Sequence, residues 1–183
     1  MIVTRRLLLS PLAAGDAPAM YGYRGDPDVC RFQTFEPGSL KDVEDLIAGL
    51  QPGAFATPGS WSQYAIRIKD SGELAGDLGI QVLASDPRQA EIGFTVAPAH
   101  QRRGYGTEAV AGMLGYLLGP ARKHRVIASV DPRNAPSLAL LKRVGMRQEA
   151  HFRESLWFKG AWVDDVVFGI LASEWVGGET SVG

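Results

Sequence analysis

Hydrophobic and polar positions in this chain alternate with two periods, and the switches between them divide it into elements. Behind a serine, residues 39–50 place Leu40, Val43, Leu46, Ile47 and Leu50 at helical spacing, which predicts a capped amphipathic helix. Ala109, Val110, Met113, Leu114, Leu117 and Leu118 mark the apolar face of a second helix. Leu138, Leu141 and Val144 mark a third, opened by Asn134 and ended by Gly145. Residues 62–69, 73–84 and 90–97 read as strands, separated by turns at 70–72 and 85–88, and predict an antiparallel meander. In the last of these, the two-residue period puts Ala90, Ile92, Phe94 and Val96 on one face and Glu91, Gly93 and Thr95 on the other.

Residues 5–11 and 125–130 add two strands, and 146–157 and 163–171 a closing pair joined at Lys159 and Gly160. Residues 12–31 are helical in parts, with Gly15 and Asp16 opening one segment and Asp26 capping another before Pro27. Residues 51–60, rich in Pro and Gly, form a surface loop. The order is mixed α/β. It predicts one domain over residues 4–175 and a flexible tail over 176–183.

Composition narrows the function classes. At 183 residues, 45% hydrophobic and 21% charged, the chain can bury a core of its own. A net charge of −1 gives no electrostatic case for nucleic acid. No apolar run approaches the ~20 residues of a membrane span, and Leu7–Leu9 is too short for the core of a signal peptide. The single cysteine, Cys30, has no internal disulfide partner, which fits a reducing cytoplasm and a structural thiol. His124 and His151 do not share metal-ligand spacing, so no metal is expected. Trp61, Trp157, Trp162 and Trp175 are read as core or cleft walls.

The chemistry concentrates in Gln101, Arg102, Arg103, Gly104, Tyr105, Gly106 and Thr107, between the third meander strand and a helix. Two glycines one residue apart let the backbone curl with its amides exposed. A helix starting there adds unpaired N–H groups and a positive dipole end, a setting for a phosphate or diphosphate. Arg102 and Arg103 add charge beside it. Gly104-x-Gly106-x-x-Ala109 also matches a dinucleotide fingerprint, but that motif needs a tight turn directly after the first strand of a parallel βαβ unit. Here antiparallel strands precede the loop and Val96 lies well ahead of Gly104, so the dinucleotide reading is poor.

Gln101-x-x-Gly104-x-Gly106 resembles the acetyl-CoA diphosphate loop of the GNAT superfamily of N-acetyltransferases. Asn134-x-x-Ser137 with Leu138, Leu141 and Gly145-Met146 resembles the family's second cofactor segment. Thr4, Arg6, Leu7, Leu9, Pro11 and Asp16, together with Gly160-x-Trp162-x-Asp164 and Glu174-Trp175, resemble its ribosomal-protein N-terminal acetyltransferase-like branch. The likeness runs from about Thr4 to Trp175. It implies a largely antiparallel twisted sheet of about seven strands, flanked by helices, with a splayed central pair forming an acyl-CoA cleft.

The resemblance also implies roles. The amides from Arg102 to Thr107 would hold the CoA diphosphate, with at least one of Arg102 and Arg103 engaged. The backbone of Phe94, Thr95 and Val96 would lie along the pantetheine arm, and Asn134 would bond that arm. Acetyl-CoA is the co-substrate. Glu91, on a strand of the cleft, is the candidate base for the attacking amine; Asp77 and Asp28 are weaker alternatives. Many members carry a tyrosine seven residues after the Asn; here Leu141 stands there, and Ser137 is the acid or thiolate donor suggested for the ribosomal-protein branch.

The expected reaction is direct attack of a primary amine on the thioester, the preferred acceptor being a protein N-terminal α-amine. A small amine such as an aminoglycoside or metabolite is the rival, with Asp26, Asp28 and Glu36 as carboxylates for a polycation. A non-catalytic acyl-CoA-binding module is a third reading. Neither nucleic acid nor membrane is an expected partner, and the final strand pair is the candidate surface for a homodimer.

Overall fold

The computed structural model describes residues 1–50 and 57–176, and the backbone of 181–182. Most of the expected loop at 51–60 lies outside the described residues, as does most of the expected tail. The strands are β1 (Ile2–Val3), β2 (Leu7–Pro11), β3 (Trp61–Ile68), β4 (Leu74–Val82), β5 (Gln89–Val96), β6 (Arg125–Val130), β7 (Arg147–Phe158), β8 (Ala161–Leu171) and β9 (Ser181–Val182). Between them run α1 (Ala17–Arg24), α2 (Pro27–Cys30), α3 (Leu40–Ala48), α4 (Tyr105–Leu118) and α5 (Ala135–Arg143). One sheet in the order β7-β8-β6-β5-β4-β3-β2-β1-β9 holds every strand among the described residues. Seven strands are long; β1 and β9 have two residues each, and β9 pairs with β1 where a frayed tail is expected.

Local chemistry explains the helix boundaries. Ser39 accepts from Asp42 N–H while the Asp42 carboxylate accepts from Ser39 N–H, a reciprocal cap that starts α3. Asp26 caps α2 by accepting from Asp28 N–H, with Pro27 at the first helical position. Asn134 accepts from Ser137 N–H at 3.3 Å and starts α5. Asp16 stands at the N-cap of α1, where a helical segment is expected to open, though without a side-chain cap bond. It closes a short 3₁₀ turn, accepts from Ala13 N–H and pairs with Arg67 of β3, and α1 begins one residue later.

Helices cover both faces of the sheet. On one face α4 buries Ala109, Val110, Met113, Leu114 and Leu117 against strand residues such as Leu9, Ile66, Leu78, Ile92 and Phe168. On the other, α1 and α3 pack Met20, Tyr23, Val43 and Ile47 over Ala65 and Leu74. The antiparallel meander β3-β4-β5 forms as expected, with Leu78 opposite Phe94 and Asp77 opposite Thr95. The only parallel neighbours among the described strands are β5 and β6. Their pairing stops after Gln89, Ala90 and Glu91 meet Arg125, Val126 and Ile127. Beyond that point β5 stays bonded to β4 and β6 to β8, so the two strands diverge.

A buried ion pair anchors α1 to the sheet. Asp77, fully buried on β4, accepts from Arg24 Nη2 at 2.6 Å, Arg24 Nε at 3.2 Å and the Tyr23 hydroxyl at 2.7 Å. Burial, with Asp77 close by, drives the Tyr23 hydroxyl well above the usual phenol range. Removing one partner of such a pair leaves a charge stranded in the interior. Asp77→Asn therefore lowers unfolding free energy by about 3–5 kcal/mol, read from the midpoint of urea denaturation with the slope unchanged.

Candidate active site

The glycine loop sits where the sheet opens. Gly104, at φ +80°, is in the left-handed region and caps α4 with its backbone alone. The helix ladder begins with Glu108 N–H on Gly104 C=O at 3.0 Å. The N–H groups of Tyr105, Gly106 and Thr107 thus have no carbonyl inside the helix. A Cβ on Gly106 would lie 3.0 Å from Leu140 of α5 and 3.1 Å from Val96 of β5. A glycine lets the start of α4 press closely against both the end of the diverging strand and α5; a larger residue would push the Leu140 and Val96 side chains aside by a few tenths of an ångström. Gln101 Nε2 donates to Val96 C=O at 3.0 Å, tying the loop to the same strand end. Arg102 and Arg103 are exposed, and neither forms an ion pair among the described residues. Bare amides, a helix dipole and two uncommitted guanidinium groups make a site that an anion of diphosphate type fits.

The loop's placement depends on residues whose role the sequence pattern does not reveal. Glu108, in the first turn of α4, accepts from Thr4 Oγ1 at 2.7 Å, Arg6 N–H at 2.6 Å and Arg6 Nε at 2.7 Å. Arg6 also donates to Arg103 C=O at 3.0 Å and lies 4.6 Å from the centre of the Tyr105 ring. One carboxylate therefore pins the link between β1 and β2 beneath the loop. An acid in the first turn of a helix was the available signal, but its partners lie about a hundred residues away.

Glu91, Phe94, Asn134 and Ser137 meet around one cavity of about 220 Å³ at the divergence of β5 and β6. Phe32, Gln33 and Thr34 wall it on one side, and Leu156 and Phe158 on another. Thr95 is not on its wall; the side chain is buried and Thr95 Oγ1 has no hydrogen-bond partner among the described residues. The loop from Gln101 to Thr107 and Val96 lie outside the cavity lining, toward the α4 face. Glu91 belongs by alternation to the opposite face, which carries α1 and α3. The gap between the strands thus joins an anion site on one side to a carboxylate cavity on the other.

The Glu91 side chain has no hydrogen bond or ion pair among the described residues, and burial followed by the nearby Asp165 carboxylate raises its pKa. The Ser137 hydroxyl is half-buried and has no hydrogen-bond partner among them either. Asp131, Asp164 and Asp165 also line the cavity. Asp165 accepts from Ser129 Oγ at 2.6 Å, Asp131 pairs with Arg133, and Asp164 pairs with His151 at 2.7 Å. The sequence reading passed over these acids as cavity residues. The signal was two adjacent aspartates inside an otherwise apolar strand, since one of two neighbours must face inward.

Several expectations need correction. Asp77 cannot act as a base, because Tyr23 and Arg24 already occupy both its oxygens. Asp28 is exposed on α2 and away from the cavity wall. The carboxylates expected to meet a polycation, Asp26, Asp28 and Glu36, do not line the cavity; Asp26 caps α2 and Glu36 pairs with Lys159. Trp61 lines the cavity and Trp175 packs partly buried on the core. Trp157 and Trp162 are neither core nor cleft wall: 63% and 59% exposed, they stack edge-to-face on the outer hairpin. Cys30 is a buried structural thiol whose Sγ donates to Arg24 C=O at 2.6 Å. Among the described residues no helix is long and apolar enough to cross a membrane.

The Glu108 lock has a defined pH dependence. Burial pushes its carboxyl upward, but the bonds from Arg6 N–H, Thr4 and the Arg6 guanidinium together outweigh this and lower its pKa. A lowered folded pKa stabilises the fold above the free glutamate value of about 4.3 and is lost as pH falls through the folded value. Glu108→Gln costs about 1.5–3 kcal/mol at pH 7, and its difference from the wild type shrinks in chemical denaturation as pH falls below the free glutamate range and through the lowered folded value.

Comparison with known proteins bears on this geometry. Residues 6–147 match the acetyltransferase (GNAT) domain family. An uncharacterised N-acetyltransferase of Bacillus licheniformis is 27% identical over 96% of this chain and 98% of its own. The ribosomal protein uS5-alanine N-acetyltransferase of Escherichia coli is 25% identical over 68% of this chain and 64% of its own. The crystal structure of Mycobacterium smegmatis RimJ in complex with CoA-disulfide superposes with a TM-score of 0.80 at 28% identity, over 94% of this chain and 88% of the other. With its diverging strand pair and glycine loop, this chain belongs to the GNAT acetyltransferase family and is an acetyl-CoA-dependent N-acetyltransferase.

Proposed function

We propose that the chain transfers an acetyl group from acetyl-CoA to a protein N-terminal α-amine. The observation that carries this reading is Glu91: half-buried, unpaired, raised in pKa, and set in an acid-lined cavity at the strand gap. The carboxylates favour entry of an ammonium group. An α-amine, with a pKa of about 7.7–8.0, needs only a mild base to become nucleophilic, whereas a lysine near 10.4 needs a stronger one. Glu91 takes the proton, directly or through one water, and the neutral amine attacks the thioester carbonyl. The C–N bond forms, the C–S bond breaks, the CoA thiolate takes the Ser137 hydroxyl proton, and the proton shed by the acylated nitrogen returns to the Ser137 oxygen. Likeness to an enzyme named for a ribosomal-protein alanine supports the choice of acceptor.

On the donor side, the amides from Arg102 to Thr107 hold the diphosphate, with Arg102 and Arg103 beside it. The backbone edge of Phe94, Thr95 and Val96, which β6 leaves unpaired, accepts the pantetheine amides as an added strand. Asn134, at the start of α5, supplies a polar contact from the other side. A small polyamine is the second reading, favoured by the four carboxylates on the cavity wall.

Two measurements test the assignment. Arg102→Glu with Arg103→Glu weakens CoA binding by calorimetry about tenfold or more at low salt, and the loss narrows as salt rises; unchanged affinity sinks the diphosphate placement. Glu91→Gln lowers kcat by at least about 10²-fold and removes the acidic limb of the pH–rate profile. Because the folded Glu91 pKa is raised, its stabilising contribution is present at low pH and is lost as pH rises through the folded value. Glu91→Gln therefore leaves Tm at pH 7 equal to or above that of the wild type, which separates lost chemistry from lost folding.

A further inference from the structure

The sheet face that carries Glu91 also carries a trough. Gly79 of β4 and Gly93 of β5 are direct cross-strand partners. A Cβ on Gly93 would meet no atom within 4 Å, whereas one on Gly79 would lie 3.1 Å from the Trp61 ring. Two adjacent strands thus lose their side chains at the same level. Trp61 and Gln63 lie over Gly79, so the open floor is at Gly93, in a second cavity of about 260 Å³ walled by Met20, Phe35, Leu46 and Trp61. It shares Gln33, Thr34, Trp61, Gly93 and Phe94 with the acidic cavity, so the two adjoin across Gly93.

The two cavities differ in what they can bind. The first carries Glu91, Asp131, Asp164 and Asp165. In the second the polar groups are mostly committed elsewhere. Arg24 is tied to Asp77 at 2.6 Å and to Gln33 at 3.3 Å. With its amide in the satisfied orientation, Gln63 donates to Asp77 and to Leu78 C=O. What remains to a ligand is mainly apolar wall, with Arg24 the charged group among its residues.

We propose that this second cavity is a specificity pocket for an apolar substituent next to the acceptor amine. The first side chain of a protein N-terminus, of leucine, methionine or phenylalanine type, lies over Gly93 against Met20, Phe35, Leu46 and Trp61 while its α-amine sits by Glu91. This rests on the α-amine reading of the acceptor. A linear polyamine fits the pair of cavities poorly, since its second ammonium group would be brought to an apolar wall beside a buried arginine.

The test is a set of peptides that differ only in the first residue (Gly, Ala, Asp, Leu or Phe), run beside small primary amines with and without an apolar α-substituent. Thiol release from acetyl-CoA is followed for the wild type, Leu46→Trp and Gly93→Val, with thermal melting to confirm folding. The expected wild-type kcat/KM is at least about tenfold higher for Leu- or Phe-first than for Gly-first peptides, and both variants bring that ratio toward one. Equal rates for every first residue, or a ratio that both folded variants leave intact, overturn the pocket and leave the N-terminal reading standing. Variant-sensitive turnover of apolar-substituted small amines, with no peptide turned over, keeps the pocket and overturns the N-terminal reading. Turnover confined to linear polyamines overturns both.

Discussion

β5 and β6 are held together for three residue pairs and then released, and the site depends on that release. Each strand keeps a full ladder on its other side, β5 with β4 and β6 with β8, so neither is free to bend back and close the gap. α4 and α5 wedge the opening: the start of α4 comes close to Val96 and Leu140 at Gly106, where an added side chain would crowd both. An unpaired strand edge is usually a hazard in a folded protein. Here it gives a binding surface of backbone amides and carbonyls, next to a helix start whose own amides are bare.

The gap also sorts charge. On the α4 face lie cationic and amide donors suited to a phosphate. Through the gap lie carboxylates suited to an ammonium group. Between the acidic cavity and α1, the Arg24–Asp77–Tyr23 cluster neutralises Asp77, the fully buried acid of β4. Such a pair adds little net stability against an apolar replacement, but it fixes where α1 sits and stays balanced only when complete. Its completeness leaves Glu91 as the carboxylate on β4 and β5 with no hydrogen-bond partner among the described residues.

Much of the scaffold was legible beforehand, because its elements are locally encoded. The apolar stripe of α4, the caps Ser39, Asp26 and Asn134, and the alternation in β5 each depend on neighbours within a few residues. The loop from Gln101 to Thr107 was legible for the same reason: its chemistry is carried by backbone and glycine. The acids of the cavity were not. Asp165 and Ser129 lie on strands paired thirty-six residues apart, and only the contacts of Arg24 and Tyr23 take Asp77, the weaker candidate, out of consideration as a base. The exposed Trp157–Trp162 pair shows the same limit, since an edge strand and an interior strand can carry similar residues.

The sequence by itself determined the element order, the glycine loop at a helix start, and the arginines, carboxylates and hydroxyls available to a site. Those properties follow from backbone sterics, capping and side-chain chemistry, which act over a few residues. Only the tertiary structure decided which carboxylate is free, which residues pin the loop, and that Gly93 leaves a trough beside Glu91. Those facts depend on strand register and on contacts such as Arg6 with Glu108 and Arg24 with Asp77. Burial and charge pairing act through space, so a residue's availability for chemistry is settled by what folds against it.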